Sequence, residues 1–233
     1  MCGRFTVGKP ENIKTRFKTQ NKLPIFEASW NVAPSQMVPT ITRNSPNKIT
    51  MMRWGLIWSK TSKFGTINIR RESAYEKPFF KQFLLDKRCL IVADSFYEWG
   101  EVNLEGKPEK YPFNFYLPDR ELFGFAGIYN DFTDAEGKPY FTCAILTTTP
   151  NNLVNKVHNR MPVIISEKDE DDWLNPENKD FEKLYKLLAP YPEKKMKMNI
   201  VSKRVNSPKN DDENLVEPLE IEPFNYGLLG KRL

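Results

Sequence analysis

Hydrophobic and polar positions change rhythm many times along this chain and never settle into a long regular repeat. Residues 10–22 (PENIKTRFKTQNK) have the spacing of a short helix with Pro10 near its start. The irregular stretch ASWNVAPSQ follows, and Asn31 to Pro34 within it reads as a fixed loop. Apolar runs predict strands near 37–43 and 48–54. From Glu72 to Lys87 apolar residues recur at helical spacing after Pro78, which predicts a kinked or two-part helix leading into a strand over 89–96. Runs at 112–117, 122–129 and 140–148, joined by Gly, Pro and Asp turns, predict three more strands. Beyond them the pattern predicts a helical turn at 151–157, a strand at 161–165, helices near 167–174 and 180–189, and a late strand near 196–205. SPKNDDEN at 207–214, polar and Pro-containing, reads as a mobile segment.

Many short strands with interspersed helices and no regular alternation predict an α+β fold, not a doubly wound one. We expect a single compact domain over 1–233, with a core of 2–219 and a tail of 220–233, built on an antiparallel, barrel-like sheet with peripheral helices. A chain of 233 residues, 39% of them hydrophobic, can bury one sizeable core. No stretch approaches the ~20 consecutive apolar residues of a membrane span, and MCGRFTVGKP has no signal-peptide run, so a cytoplasmic protein without a membrane partner is expected. The net charge of +5 permits a polyanionic partner without demanding one.

Cys89 and Cys143 lie inside apolar runs and read as inert core thiols, whereas Cys2 stands directly after the initiator Met. Methionine aminopeptidase removes Met readily when the next residue is small, which leaves the α-amine and thiol of Cys2 on adjacent carbons. Such an amine has a reference pKa of about 7.7 to 8.0, against about 10.4 for lysine, so at neutral pH far more of it is nucleophilic. It can form a Schiff base with an aldehyde, and the thiol can then add to the imine carbon and close a thiazolidine ring. Taken alone, Cys2 reads more readily as the second residue of a frayed terminus.

His158, in KVHNRMPV, is the one histidine and suits proton transfer at neutral pH, although a lone His is often structural. Glu98, in ADSFYEWG, sits between Tyr97 and Trp99, surroundings that raise a carboxyl pKa by desolvation; the alternative is an exposed carboxylate at a strand end. Asn68, Arg70 and Glu72 alternate in INIRRES and share one face if the segment is extended, lining either a cleft or solvent. Arg4, Arg53, Arg70, Arg71, Arg160, Lys203 and Arg204 are scattered among Trp30, Trp54 and Trp58, the ingredients of a groove for phosphates and bases or simply a solvated surface. Neither metal-ligand spacing nor a Gly-rich phosphate loop is present, so no cofactor is expected.

Together these segments resemble the SRAP (SOS response-associated peptidase) family of abasic-site processing proteins over Cys2 to about Leu219. The motifs are MCGRF, NVAP (Asn31 to Pro34), RWGL (Arg53 to Leu56), N-x-R-x-E (Asn68 to Glu72) and AD-x-FYEW (Ala93 to Trp99). AGIY (Ala126 to Tyr129), HNRMP (His158 to Pro162) and VS-x-x-VN-x-x-x-N (Val201 to Asn210) complete the set in the same order. The resemblance implies an abasic-site sensor of the DNA damage response, acting on single-stranded DNA as a monomer and nucleoid-associated when bound. In it Cys2 bonds to the ring-opened abasic sugar, Asn68 positions the terminal amine, Glu98 is the acid/base and His158 assists proton transfer. Arg4, Arg70 and Arg160 are implied to hold DNA phosphates, Asn31 and Pro34 to border the site, and Trp54 and Trp58 to form a wall against DNA. One departure is that Trp58 stands where the family commonly has proline and Lys60 where it has a second tryptophan. Two rival readings are a cysteine peptidase with Cys2 as nucleophile and His158 as base, and a noncatalytic single-strand binding module.

Overall fold

The computed structural model describes residues 2–21, 26–58, 65–104, 107–133 and 137–219. Met1, Lys60 and the expected tail at 220–233 lie outside the described residues. Strands run in the order β1 (Arg4–Val7), β2 (Ser29–Val32), β3 (Met37–Thr42), β4 (Ser45–Trp54), β5 (Asn68–Arg70), β6 (Arg88–Ala93) and β7 (Ser95–Leu104). There follow β8 (Lys107–Tyr116), β9 (Phe123–Thr133), β10 (Pro139–Thr148), β11 (Met161–Pro162), β12 (Ile164–Ile165) and β13 (Lys197–Ile200). The α-helices are α1 (Ile13–Arg16), α2 (Arg71–Glu76), α3 (Pro78–Asp86), α4 (Asn152–Asn155), α5 (Glu170–Leu174) and α6 (Phe181–Leu187).

Five strands close into a barrel. β4 pairs with β3, β3 with β6, β6 with β9 and β9 with β10, all antiparallel, and β10 returns to β4 in parallel. Short strands extend it: β5 and β11 pair with β10, and β12 with β9. A second sheet of five strands has the order β13-β8-β7-β1-β2. The α+β, barrel-like architecture expected from the pattern is therefore present, with two sheets in place of one.

Pro78 divides the predicted helix, as its ring and missing N–H require, into α2 and α3. Other elements differ from the pattern for local reasons. The helix expected over 10–22 is a 3-10 turn, Pro10–Asn12, followed by α1, and Lys18 with φ 52° turns the chain away. The strand expected over 89–96 breaks at Asp94, where the chain passes from barrel to second sheet. Asp94 accepts from the Thr6 hydroxyl and, at 2.6 Å, from the Gly8 amide, so the crossing point also anchors β1.

The second sheet lies on the barrel through aromatic side chains. Phe5 meets Trp54 at a ring-centroid distance of 4.9 Å and Phe125 at 5.7 Å, both edge-on; Phe96 meets Phe125 at 6.1 Å and stacks on Phe115 at 5.1 Å. All five are fully buried, and such pairs each contribute about 0.5–1.5 kcal/mol beyond the area they bury. Cys89 and Cys143 are buried as free thiols in the barrel strands, as their apolar settings predict.

On the sheet's other face Tyr97 packs with Val201, Val205, Leu215 and Val216, with Trp30 and Trp99 partly buried beside them. SPKNDDEN, expected to be mobile, is pinned there. The Asn31 amide is shared among the carbonyls of Val205, Ser207 and Asn210 at 3.2, 3.0 and 2.7 Å, and Asp211 accepts from the Ser29 hydroxyl and the Trp30 amide. A buried donor satisfies several carbonyls at once, which outweighs the polarity of the segment. Asn31→Ala is expected to cost about 2–3 kcal/mol in denaturant unfolding and to open 205–212 to protease cleavage; unchanged protection of that segment would contradict this account.

Candidate active site at the start of the chain

Cys2 is separated by Gly3 from β1, which is held between β2 and β7. The residue is fully buried, its carbonyl accepts from Asn68 Nδ2 at 2.7 Å, and its Sγ lies 3.6 Å from the Arg4 carbonyl. Burial first, and then the charge of Glu98, push the Cys2 thiol well above its ordinary range. A thiol held in this way stays protonated unless a base takes its proton.

Glu98 comes from β7, where side chains alternate between faces. Phe96 faces the barrel, so Glu98 shares that face, while Tyr97 and Trp99 point to the opposite one. The desolvation expected at Glu98 therefore comes from the seam between sheet and barrel and not from its two sequence neighbours. Only 3% of the residue is exposed, and burial raises its carboxyl from 4.5 to about 7.

Asn68 and His158 reach the same place from the barrel side. β5 pairs in parallel with β10, with Asn68 opposite Ile145, which carries Asn68 to the end of the barrel. Asn68 spends its NH2 group on Cys2, and its buried Oδ1 has no hydrogen-bond partner. His158 sits between α4 and β11, and its Nε2 lies 4.0 Å from Glu98 Oε2. Of the four catalytic residues expected from the sequence, then, two arrive from each sheet and gather at the seam. Among the described residues no three of His, Cys, Asp and Glu gather as a metal-ligand group.

The residues expected to contact DNA differ in burial and in their partners within the protein. Arg4 donates from Nη1 to Asn31 Oδ1 at 3.0 Å and to the Val205 carbonyl at 2.9 Å, and Asn31 itself is fully buried beneath that loop. Arg160 binds both oxygens of Glu72, at 3.0 and 2.9 Å, and the Thr147 carbonyl at 2.7 Å. Trp54 is a correction: it is fully buried, with Nε1 on the Ile67 carbonyl at 3.0 Å, so its ring supports Phe5 from the core and does not form an outer wall. Pro34 is exposed in the turn over residues 33–36, which the Ser35 amide fastens to the Trp54 carbonyl at 2.8 Å. Trp58, 37% exposed, joins a different aromatic group, with Phe79 and Phe80 at 6.4 and 6.0 Å.

Arg70 is exposed at the end of β5. Several other cations have internal partners: Arg71 donates to the Leu188 carbonyl, Lys203 pairs with Glu109 and Arg204 with Asp212. Glu72 does not extend the alternating row, because the chain becomes helical at Arg71 and places it in the first turn of α2. Burial opposes its charge, but the hydrogen bonds from Arg160 prevail and hold its carboxyl below the ordinary range. Thr147 and the carboxylate role of Glu72 had no clear signal in the sequence beyond the alternation at 68–72. Among the described residues no helix is long and apolar enough to cross a membrane.

The family model for SOS response associated peptidase (SRAP) matches residues 1–208. Abasic site processing protein YoqW of Bacillus subtilis is 44% identical over 225 residues, covering 93% of this chain and 99% of that protein. Abasic site processing protein HMCES of Pongo abelii is 25% identical over 276 residues, covering 95% and 77% of the two chains. A crystal structure of a protein from Bacteroides thetaiotaomicron superposes with a TM-score of 0.81 at 26% identity, covering 94% of this chain and all of that one.

Glu98 makes a pH-dependent contribution to stability. Its folded-state pKa of about 7 exceeds the ordinary 4.5, so between those values the folded form holds a proton that the unfolded form has lost, and stability falls as pH rises. Glu98→Gln removes that loss. Thermal unfolding should show the variant gaining on the native protein from pH 4.5 to 7 and levelling off above; a constant difference across that window would place the carboxyl pKa elsewhere.

Proposed function

This chain belongs to the SOS response associated peptidase (SRAP) family, and from that premise we propose that it processes abasic sites in single-stranded DNA by covalent capture on Cys2. Removal of Met1 exposes the Cys2 amine. The amine attacks the aldehyde of the ring-opened sugar, and loss of water gives an imine. The thiol then adds to the imine carbon: a C–S bond forms and the thiol proton passes to the nitrogen, giving a thiazolidine. A five-membered ring persists longer than an imine open to hydrolysis, so the lesion is shielded from strand cleavage.

The observation that carries this reading is the company Cys2 keeps. Its carbonyl is fixed by Asn68, whose buried Oδ1 has no partner, and an amine freed at Cys2 is the kind of donor that oxygen needs. Glu98, with a pKa near 7, both donates and accepts a proton at neutral pH, which suits sugar opening and water loss as acid and thiol deprotonation as base. His158, 4.0 Å away, is the partner for those transfers. Arg70, Pro34 and Trp58 are the exposed members of the expected DNA set and offer a strand their surface. We assign Arg4, Asn31 and Arg160 to shaping that surface, since each is occupied within the protein.

The test is intact-mass analysis of the protein mixed with a uracil-containing oligonucleotide treated to make abasic sites. The native protein, lacking Met1, should gain the mass of the oligonucleotide less one water and keep it through denaturation. Cys2→Ala retains a terminal amine but no thiol, so it should give no stable adduct while residual strand cleavage through the imine persists. Full crosslinking by Cys2→Ala would overturn the role of the thiol. Cleavage of a peptide panel without any DNA adduct would favour a peptidase, and equal, salt-sensitive binding of intact and abasic strands without an adduct would favour a binding module.

A further inference from the structure

We propose that Glu72 is a positioning residue: by gripping both sides of the Arg160 guanidinium it sets the neutral His158 imidazole in its Nε2–H form, with that proton turned toward Glu98. The effect on crosslinking rests on the proposed function; the tautomer does not.

Two contacts compete at His158 Nδ1. The Arg160 amide N–H points at it from 3.0 Å, and the Arg160 carbonyl oxygen lies 3.1 Å away. A backbone N–H can only donate, so Nδ1 presents its lone pair and the single proton of the neutral ring sits on Nε2. A modest rotation of the chain at Arg160 would turn the amide away, leave the carbonyl as partner and reverse the tautomer. The orientation of residue 160 therefore decides which nitrogen carries the proton facing Glu98.

Both flanks of the loop are already fixed. The His158 amide donates to the Val154 carbonyl at 2.8 Å, and Met161 and Pro162 pair with Thr148 and Thr147 of β10. Between them, the grip on the Arg160 side chain sets the residue's orientation. Its Nη1 binds Glu72 Oε1 at 3.0 Å, and Nη2 binds Glu72 Oε2 at 2.9 Å and the Thr147 carbonyl at 2.7 Å. A fork-to-carboxylate pair fixes direction as well as distance, and the Arg160 side chain is only 12% exposed. Glu72 is itself placed by α2, which follows β5 directly and buries Ala74. The same short segment thus carries Asn68 to Cys2 and Glu72 to Arg160. An Nε2–H donor stabilises Glu98 once that residue has released its proton.

His158 is the one histidine in the chain, so untagged protein gives a single pair of imidazole nitrogen resonances. Long-range proton–nitrogen NMR at a pH where the ring is neutral should show Nδ1 bare and Nε2 protonated in the native protein. Glu72→Gln, which keeps the shape but loses one acceptor oxygen and the charge, should give averaged nitrogen shifts from mixed tautomers. Arg160→Lys, which cannot span two oxygens, should do the same, and the double variant should be no worse than either single one. A native Nδ1–H form, unaltered shifts in a folded Glu72→Gln protein, or additive effects would each overturn the proposal.

With the abasic oligonucleotide, Glu72→Gln should slow crosslinking at saturation by about ten- to a hundredfold, with half-saturation unchanged within about twofold. If Glu72 instead kept Arg160 from binding phosphate, the variant would bind more tightly with a steeper salt dependence, and the positioning role would be wrong. Should the native protein form no adduct at all, the proposed function fails while the NMR result still decides the role of Glu72.

Discussion

The edge-on contact of Phe5 with Trp54 and Phe125 is the interaction on which the rest of the molecule depends. β1 has only four residues and cannot hold its place through backbone pairing alone. Wedging Phe5 between a barrel tryptophan and a barrel phenylalanine ties the sheet to the barrel at the point where the chain begins. Asp94, accepting from Thr6 and Gly8, closes the same strand from its other side. A terminus that would ordinarily fray is thereby buried as far as Cys2.

That burial accounts for the electrostatics of the seam. Glu98 shares the inward face of β7 with Phe96, so the packing that joins the two layers also removes water from its carboxyl. The same desolvation keeps the Cys2 thiol protonated. One physical cause, desolvation, thus leaves a neutral thiol beside a carboxyl that titrates near neutrality. Polar groups around the seam find partners within the protein: Arg4 and Asn31 on the loop at 205–210, Arg160 on Glu72 and Thr147.

Much of this was legible in the order of residues. Pro78 divided its helix because a proline ring excludes the preceding turn, and the apolar runs around Cys89 and Cys143 became barrel strands because little else buries them. Alternation in SFYEWG is enough to separate Phe96 and Glu98 from Tyr97 and Trp99, although the source of desolvation lies in residues far along the chain. Asn31 and SPKNDDEN show the opposite case. Nothing local says that a segment rich in Asp and Asn will be ordered, because the amide that orders it is more than 170 residues away.

The chain's own order of residues determined the five barrel strands, the divided helix, the cysteine behind the initiator methionine and the single histidine, since these follow from local periodicity and side-chain chemistry. Tertiary structure alone decided that Asn68 holds the Cys2 carbonyl, that Glu98 and His158 come within 4.0 Å, and that Trp54 and Arg160 turn inward. Those outcomes depend on which strands pair across the barrel and on how much water the seam excludes. Both are set by contacts between residues distant in sequence, which no local pattern encodes.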